Sequence, residues 1–200
     1  MANANKIIII MNFKINQPLN TKEYIELFQQ NANGIRKDYS DEYIPYLQLN
    51  YKRFERVIKN YDPSNEVINA FAKLSFQPKL YIITEPWCGD AAQSVPVFIK
   101  IWEKLNYSDI TFILRDKNPD IMDLYLTDGN KRSIPIAIFE KPDGSEWFHW
   151  GPRPQKAQII FDEVKKQSDR PEHAYEALQK FYNEDKGKSI EEELMKKLVE

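Results

Sequence analysis

Apolar residues recur at helical spacing in the first part of this 200-residue chain, where successive apolar side chains stand three or four positions apart. Such spacing places the side chains on one face of a helix. The most regular series contains six residues: Ile44, Leu47, Tyr51, Phe54, Ile58 and Tyr61. We therefore predict a mostly helical N-terminal extension over residues 1–77. Within it, the apolar run Lys6–Phe13 fits either a strand or a poorly ordered end of the chain.

The ends of these helices carry their own signals. Asn20 followed by Glu23 is typical of a helix start, and Asn33-Gly34 is typical of a helix end. Asp62-Pro63-Ser64 interrupts the long apolar series. We expect one further helix after this break, through Val67, Phe71 and Leu74, which ends near Gln77-Pro78.

After Pro78 the apolar residues come in short runs, which predict strands. The predicted strands are Leu80–Thr84, Ile110–Leu114, Ile134–Phe139 and Glu146–Trp150. Helical spacing returns between the first two runs, and Ile121–Leu126 fits a short helix. We expect an α/β domain over residues 78–168. A helical tail is predicted over residues 169–200, in two pieces separated at Lys186-Gly187-Lys188.

Composition limits the classes of function. The formal net charge is −2 with acids and bases interspersed, so we expect no nucleic-acid partner and no membrane partner. A single cysteine argues against a secreted disulfide scaffold and favours a cytoplasmic protein. The two histidines, His149 and His173, have no spacing typical of a zinc site. We predict no metal and no cofactor.

Cys88, the one cysteine, stands between a predicted strand and a predicted helix. Unpaired backbone N–H groups at a helix start favour a thiolate over a thiol. Asp90 acts in the opposite direction if its carboxylate faces the sulfur. It would instead cap the helix if it turns away, since Asp is a preferred N-cap residue.

The five residues Trp87-Cys88-Gly89-Asp90-Ala91 resemble the active-site motif of the thioredoxin superfamily, whose usual form is WCGPC. Four further features occur in the family's order: Pro96, the segment Ser133-Ile134-Pro135-Ile136, the strand, turn and strand over Phe139–Glu146, and Gly151. The resemblance covers roughly residues 78–166. It implies a thioredoxin-like α/β fold, with a central mixed β-sheet and helices on both faces, to which the extension and the tail are added.

The resemblance also implies a substrate groove beside Cys88. Pro135 would follow a cis peptide bond, and the backbone of Ile134 would offer hydrogen bonds to an extended substrate. Trp87 would be an exposed aromatic shield. The rim would be completed by Ser133, Trp150 and Gly151.

This chain departs from the family pattern at the second cysteine, where Ala91 stands. The middle proline is replaced by Asp90. The family's buried acid would fall at Ile82, which cannot ionise. A dithiol cycle within one chain is therefore excluded.

Several functions remain open. The leading hypothesis is monothiol thiol–disulfide exchange, in which Cys88 forms mixed disulfides with a protein or a small-molecule thiol. Whether this makes the protein an enzyme, an oxidoreductase without a resolving cysteine, is left open. The alternatives are a redox-silent thioredoxin-fold binding module, a monothiol glutaredoxin-like protein that uses glutathione, and a structural protein that forms a homodimer through its terminal helices.

Overall fold

The computed structural model describes residues 14–199. The apolar run Lys6–Phe13 lies outside these residues. The described helices are α1 to α8 in chain order: Thr21–Ala32, Ile44–Asn60, Asn65–Ala72, Gly89–Leu105, Pro119–Met122, Gln155–Gln167, Pro171–Asp185 and Lys188–Val199. The strands are β1 to β4: Lys79–Thr84, Thr111–Leu114, Ile136–Glu140 and Glu146–Trp150.

The four strands form one mixed sheet in the order β2-β1-β3-β4. β1 pairs with β2 in parallel and with β3 antiparallel, and β3 pairs with β4 antiparallel. The parallel pair is joined by α4, as a parallel connection requires a crossover. The predicted mixed sheet is confirmed.

Alternate residues of the strands point to opposite faces of the sheet. Ile82 faces a large core formed with α1, α2, α3, α4 and α8, whereas Ile83 faces a smaller core closed by the short helix α5. Both faces therefore carry helices, as predicted. The larger core combines residues from the N-terminal helices, the sheet and the C-terminal tail.

The ends of the N-terminal helices follow the sequence signals. The Asn20 side chain accepts a hydrogen bond from the backbone of Glu23, and the Glu23 side chain accepts one from the backbone of Asn20. This reciprocal capping box satisfies two N–H groups at the start of α1. Pro45 lies in the first turn of α2, where its missing N–H costs no intrahelical bond.

Three predicted boundaries were wrong. α3 ends at Ala72 rather than near Gln77, and the following chain brings the ring of Phe76 to 5.2 Å from that of Trp147. α5 begins at Pro119, because proline is suited to a first helical position, and it ends at Met122. β3 begins at Ile136, because Pro135 has no N–H for the sheet.

The C-terminal tail packs on the domain in two ways. α7 packs against α6 through Leu178 and Tyr182, which surround Ala157. α8 inserts Ile190 and Leu194 into the larger core. The two helices separate at Lys186 and Gly187, both with positive φ, in agreement with the predicted break.

Gly151 permits the close approach of β4's end to Pro135. Its φ is +132°, and an added Cβ would overlap the Pro135 carbonyl oxygen and lie 3.2 Å from the Ile136 Cα. We expect Gly151→Ala to lower the free energy of unfolding by roughly 2–4 kcal/mol, from backbone strain and overpacking. Urea denaturation measures this change.

Gly144→Ala is the matched control. Gly144 also has a positive φ, +82°, but an added Cβ there would meet nothing within 4 Å. Its cost should be limited to the backbone contribution, about 1 kcal/mol. Equal losses in the two variants would show that the contact with Pro135 contributes nothing.

Candidate functional site

Cys88 lies at the junction of β1 and α4, where it occupies the N-cap position of the helix. Its Sγ donates a hydrogen bond to the carbonyl oxygen of Ile134, at 3.3 Å. The Ile134–Pro135 peptide bond is cis, which confirms that prediction. The fold thus brings the cysteine and the proline segment together across 46 residues of sequence.

The electrostatic surroundings of Cys88 differ from the expectation of a stabilised thiolate. Burial, and to a lesser extent the carboxylate of Asp90, raise the pKa of the Cys88 thiol to about 12. The backbone N–H groups of Ala91 and Asp90, together with the charge of Arg153, act in the opposite direction. Desolvation of a thiolate therefore exceeds the favourable field of the helix start.

Asp90 does not cap α4, as one reading of the sequence allowed, because Cys88 holds the N-cap position. One carboxylate oxygen of Asp90 accepts a hydrogen bond from Arg153 Nη2 at 2.6 Å. The other accepts one from the hydroxyl of Tyr182, also at 2.6 Å. Burial raises the pKa of the Asp90 carboxyl, and the charge of Arg153 partly offsets this effect. The hydrogen bond from Tyr182 therefore holds α7 against the start of α4.

Trp87 is half-buried rather than an exposed shield. The Arg115 guanidinium lies 4.6 Å from the centroid of its indole ring, within the range of a cation–π contact. The Tyr43 ring lies 5.4 Å away on α2's side. The backbone carbonyl of Trp87 accepts a hydrogen bond from Asn50 Nδ2 at 2.7 Å. The N-terminal helices therefore help to hold the motif.

A groove of about 1270 Å³ opens beside Cys88, between α2 and α7. Six of the sequence-predicted residues line it: Trp87, Cys88, Gly89, Asp90, Ser133 and Ile134. Four do not. Ala91 is buried in the core, and Gly151 packs behind Pro135. Trp150 is also buried, and its indole N–H donates to Glu193 Oε2 at 2.6 Å.

Several residues that line the groove come from distant elements and were not predicted from the sequence. They include Tyr43 and Arg53 from the N-terminal helices, Arg153 after β4, and Tyr175 and Tyr182 from α7. No local motif marks them. The apolar series in α2 identifies the buried face of that helix. It does not show which of the polar residues beside that face line a groove.

A buried carboxyl group lies at the end of β1, three residues before Cys88. Ile82, the position of the family's acid, is apolar and buried as expected, but Glu85 is also buried. Its carboxylate accepts hydrogen bonds from the Tyr39 hydroxyl at 2.8 Å and from the backbone N–H of Asp116 at 2.9 Å. Burial raises the pKa of Glu85 to about 7.

This pKa predicts a pH dependence of stability. A carboxyl whose pKa rises from 4.5 to about 7 on folding binds its proton more tightly in the folded state. The stabilisation that the protonated Glu85 carboxyl gives the folded state is therefore fully present below about pH 4.5. It is lost as the pH rises through about 7. Relative to Glu85→Gln, the wild type should lose roughly 3 kcal/mol between these limits.

Urea denaturation of both proteins between pH 4.5 and 8 measures the difference. Glu163→Gln removes an exposed carboxylate on α6 and serves as the control. If the wild type and Glu85→Gln change stability in parallel over this range, Glu85 does not titrate as described.

Asp90 should control the acidity of Cys88. We expect Asp90→Asn to lower the pKa of the thiol, because it removes the neighbouring negative charge and leaves Arg153 without its carboxylate. The rate of alkylation by iodoacetamide as a function of pH gives this pKa.

Glu176→Gln removes an exposed carboxylate that also lines the groove, on α7, and is the control for net charge. It should leave the pH profile of alkylation unchanged. Identical profiles for the wild type and Asp90→Asn would contradict the assigned effect of Asp90.

Comparison with known proteins gives a family match. A protein-family model for thioredoxin matches residues 37–165. No curated protein sequence matches the chain. Within residues 14–199, no helix combines the length and the apolar character that a membrane span requires.

Two similar solved structures have low sequence identity to this chain. A crystal structure of an HIV epitope scaffold is 15% identical, with a TM-score of 0.47, and the match covers 78% of this chain and 95% of that one. A protein of unknown function from Pseudomonas aeruginosa is 14% identical, with a TM-score of 0.48, and the match covers 80% of this chain and 96% of that one.

Proposed function

The chain belongs to the thioredoxin family, and from this premise we propose that it carries out monothiol thiol–disulfide exchange through Cys88. The Cys88 thiolate attacks one sulfur of a disulfide, a mixed disulfide with Cys88 forms, and the other sulfur leaves as a thiolate. A second thiol, from a small molecule or a partner protein, then attacks the substrate sulfur. This step releases Cys88 as a thiolate and regenerates a disulfide, so no net oxidant is needed.

The observation that carries this proposal is the position of the Cys88 sulfur. It lies 3.3 Å from the Ile134 carbonyl, beside cis-Pro135 and on the wall of an open groove. A substrate disulfide in the groove would reach the sulfur from the side where Ser133 and Ile134 lie. The absence of a second cysteine in the sequence means that the mixed disulfide persists until an external thiol resolves it.

The raised pKa of Cys88 sets the rate of this chemistry. Because the pKa of Cys88 is raised far above neutrality, only a very small fraction of the thiol is ionised at neutral pH. The thiolates that do form are strong nucleophiles, because nucleophilicity rises with pKa. Exchange should therefore be slow at neutral pH and accelerate as the pH rises. We assign the reaction to the cytoplasm, where thiols are kept reduced.

A second candidate function is a redox-silent binding module. The same raised pKa and the hydrogen bond to Ile134 favour it, since both hold the cysteine as a thiol. In this case the groove binds its partner without covalent chemistry.

The third alternative, a structural protein that forms a homodimer through its terminal helices, stays a prediction.

The test is adduct formation with a neutral disulfide. We expect the native protein, incubated with bis(2-hydroxyethyl) disulfide, to gain one mercaptoethanol adduct by intact mass, faster at pH 9 than at pH 7. Added thiol should remove the adduct. Cys88→Ser should gain none, because it has no thiol.

The same measurement in urea distinguishes the two functions. An adduct that forms only in the unfolded protein would mean that the folded site does not exchange. The redox proposal would then be wrong, and the binding module would be the better description.

A further inference from the structure

Arg53 is a half-buried cation of the groove that has no carboxylate within ion-pair distance among residues 14–199. Its Nη1 donates a hydrogen bond to Asn50 Oδ1 at 2.9 Å, and within residues 14–199 it forms no ion pair. The other groove arginines are paired: Arg153 with Asp90, Arg115 with Asp116, and Arg132 with Asp123. The Asp90 carboxylate attracts Arg53 through space, but both of its oxygens already accept hydrogen bonds from other side chains. The Arg53 guanidinium is therefore available to an anion that enters the groove.

Arg53 stands directly beside the cysteine motif. A Cβ added at Gly89, the residue after Cys88, would lie 3.6 Å from Arg53 Nη1. Asn50 orients the guanidinium through its Oδ1, while its Nδ2 donates to the Trp87 carbonyl. One side chain thus fixes both the arginine and the motif. An anion bound by Arg53 would lie next to the reacting sulfur.

Cationic side chains outnumber acidic ones among the residues that line the groove. Its lining includes five cationic residues, Arg53, Arg115, Arg132, Arg153 and Lys180, against three acidic ones, Asp90, Glu172 and Glu176. The chain as a whole has a formal net charge of −2. Three of these arginines are ion-paired, so Arg53 and the exposed Lys180 are the lining cations left to attract an anion.

We propose that Arg53 selects substrates that carry a carboxylate close to the reacting sulfur, so that the groove takes low-molecular-weight acidic disulfides and thiols. This inference rests on the proposed exchange reaction and names its substrate class. The carboxylate binds the Arg53 guanidinium while the substrate sulfur faces Cys88. The groove, at about 1270 Å³, is somewhat larger than the roughly 300–1,000 Å³ of typical small-molecule sites, so a low-molecular-weight disulfide fits within it.

The first experiment compares two alkylating reagents of similar size, iodoacetate and iodoacetamide, which differ in charge. The rate with iodoacetamide reports the thiolate population, so the ratio of the two rates reports the effect of the carboxylate alone. Arg53→Gln should lower the ratio of iodoacetate to iodoacetamide rates by about threefold to tenfold. The wild-type ratio should also fall as salt is added.

Lys52→Gln is the matched control, because Lys52 is an exposed cation on the same helix that does not line the groove. It should keep the wild-type ratio. A ratio that is unchanged in Arg53→Gln, or lowered equally in Lys52→Gln, would overturn the assignment to Arg53.

A second experiment does not depend on the reactivity of the cysteine. Cys88→Ser cannot exchange, so calorimetric titration with 3,3′-dithiodipropionate, a disulfide with two carboxylates, measures binding alone. We expect binding that Arg53→Gln in the same background weakens severalfold and that Lys52→Gln does not. Bis(2-hydroxyethyl) disulfide, which is neutral, should bind more weakly.

The two experiments separate this inference from the exchange proposal. Binding of the dicarboxylate that depends on Arg53, in a protein whose Cys88 forms no adduct, would retain the anion site and reject exchange. Adduct formation with the neutral disulfide, without any effect of Arg53 on the reagent ratio or on binding, would retain exchange and reject the anion site.

Discussion

The site depends on the contacts of the Asp90 carboxylate with Arg153 and Tyr182. Arg153 and the Tyr182 hydroxyl each contact one of its oxygens at 2.6 Å, so the start of α4, the loop after β4 and α7 meet at one group. A buried carboxylate is costly unless it is paired and hydrogen-bonded, and removal of one partner leaves an uncompensated charge. The position of α7, and with it one wall of the groove, is therefore coupled to the residue two positions after Cys88.

This arrangement opposes a thiolate at Cys88. A negative sulfur beside a negative carboxylate would be repelled, and both groups would be desolvated, which is reflected in the raised pKa of the thiol. The helix start and Arg153 favour ionisation of the Cys88 thiol, but the combined effect of burial and Asp90 is larger. The usual family motif has proline at the position of Asp90 and carries no charge there. The same substitution that secures the tail thus makes the cysteine less acidic.

Local signals in the sequence predicted those features that depend on neighbouring residues. The capping pair Asn20 and Glu23 and the bounds of β4 agree with the structure. The cis bond before Pro135 also agrees, but the family resemblance rather than a local signal implied it. The sequence left the acidity of Cys88 open, because the helix start favours a thiolate while Asp90 can oppose it. Burial, which raises the pKa of the thiol, is a tertiary property that local signals do not show. Arg53, Glu85 and Tyr182 carry no motif, and they reach the site only through packing between elements far apart in sequence.

The site is built from more of the chain than the family model covers. The match spans residues 37–165 and includes α2, the sheet and the cysteine helix, whereas Tyr182 and its helix α7 lie beyond it. α2 supplies Asn50 and Arg53, and α7 supplies the opposite wall of the groove. α8 packs into the core beneath the sheet, and α7 packs against α6. Both helices of the tail are therefore held on the domain. The groove is therefore a property of the whole fold, because α2 and α7 form its two walls and both are held by the common core.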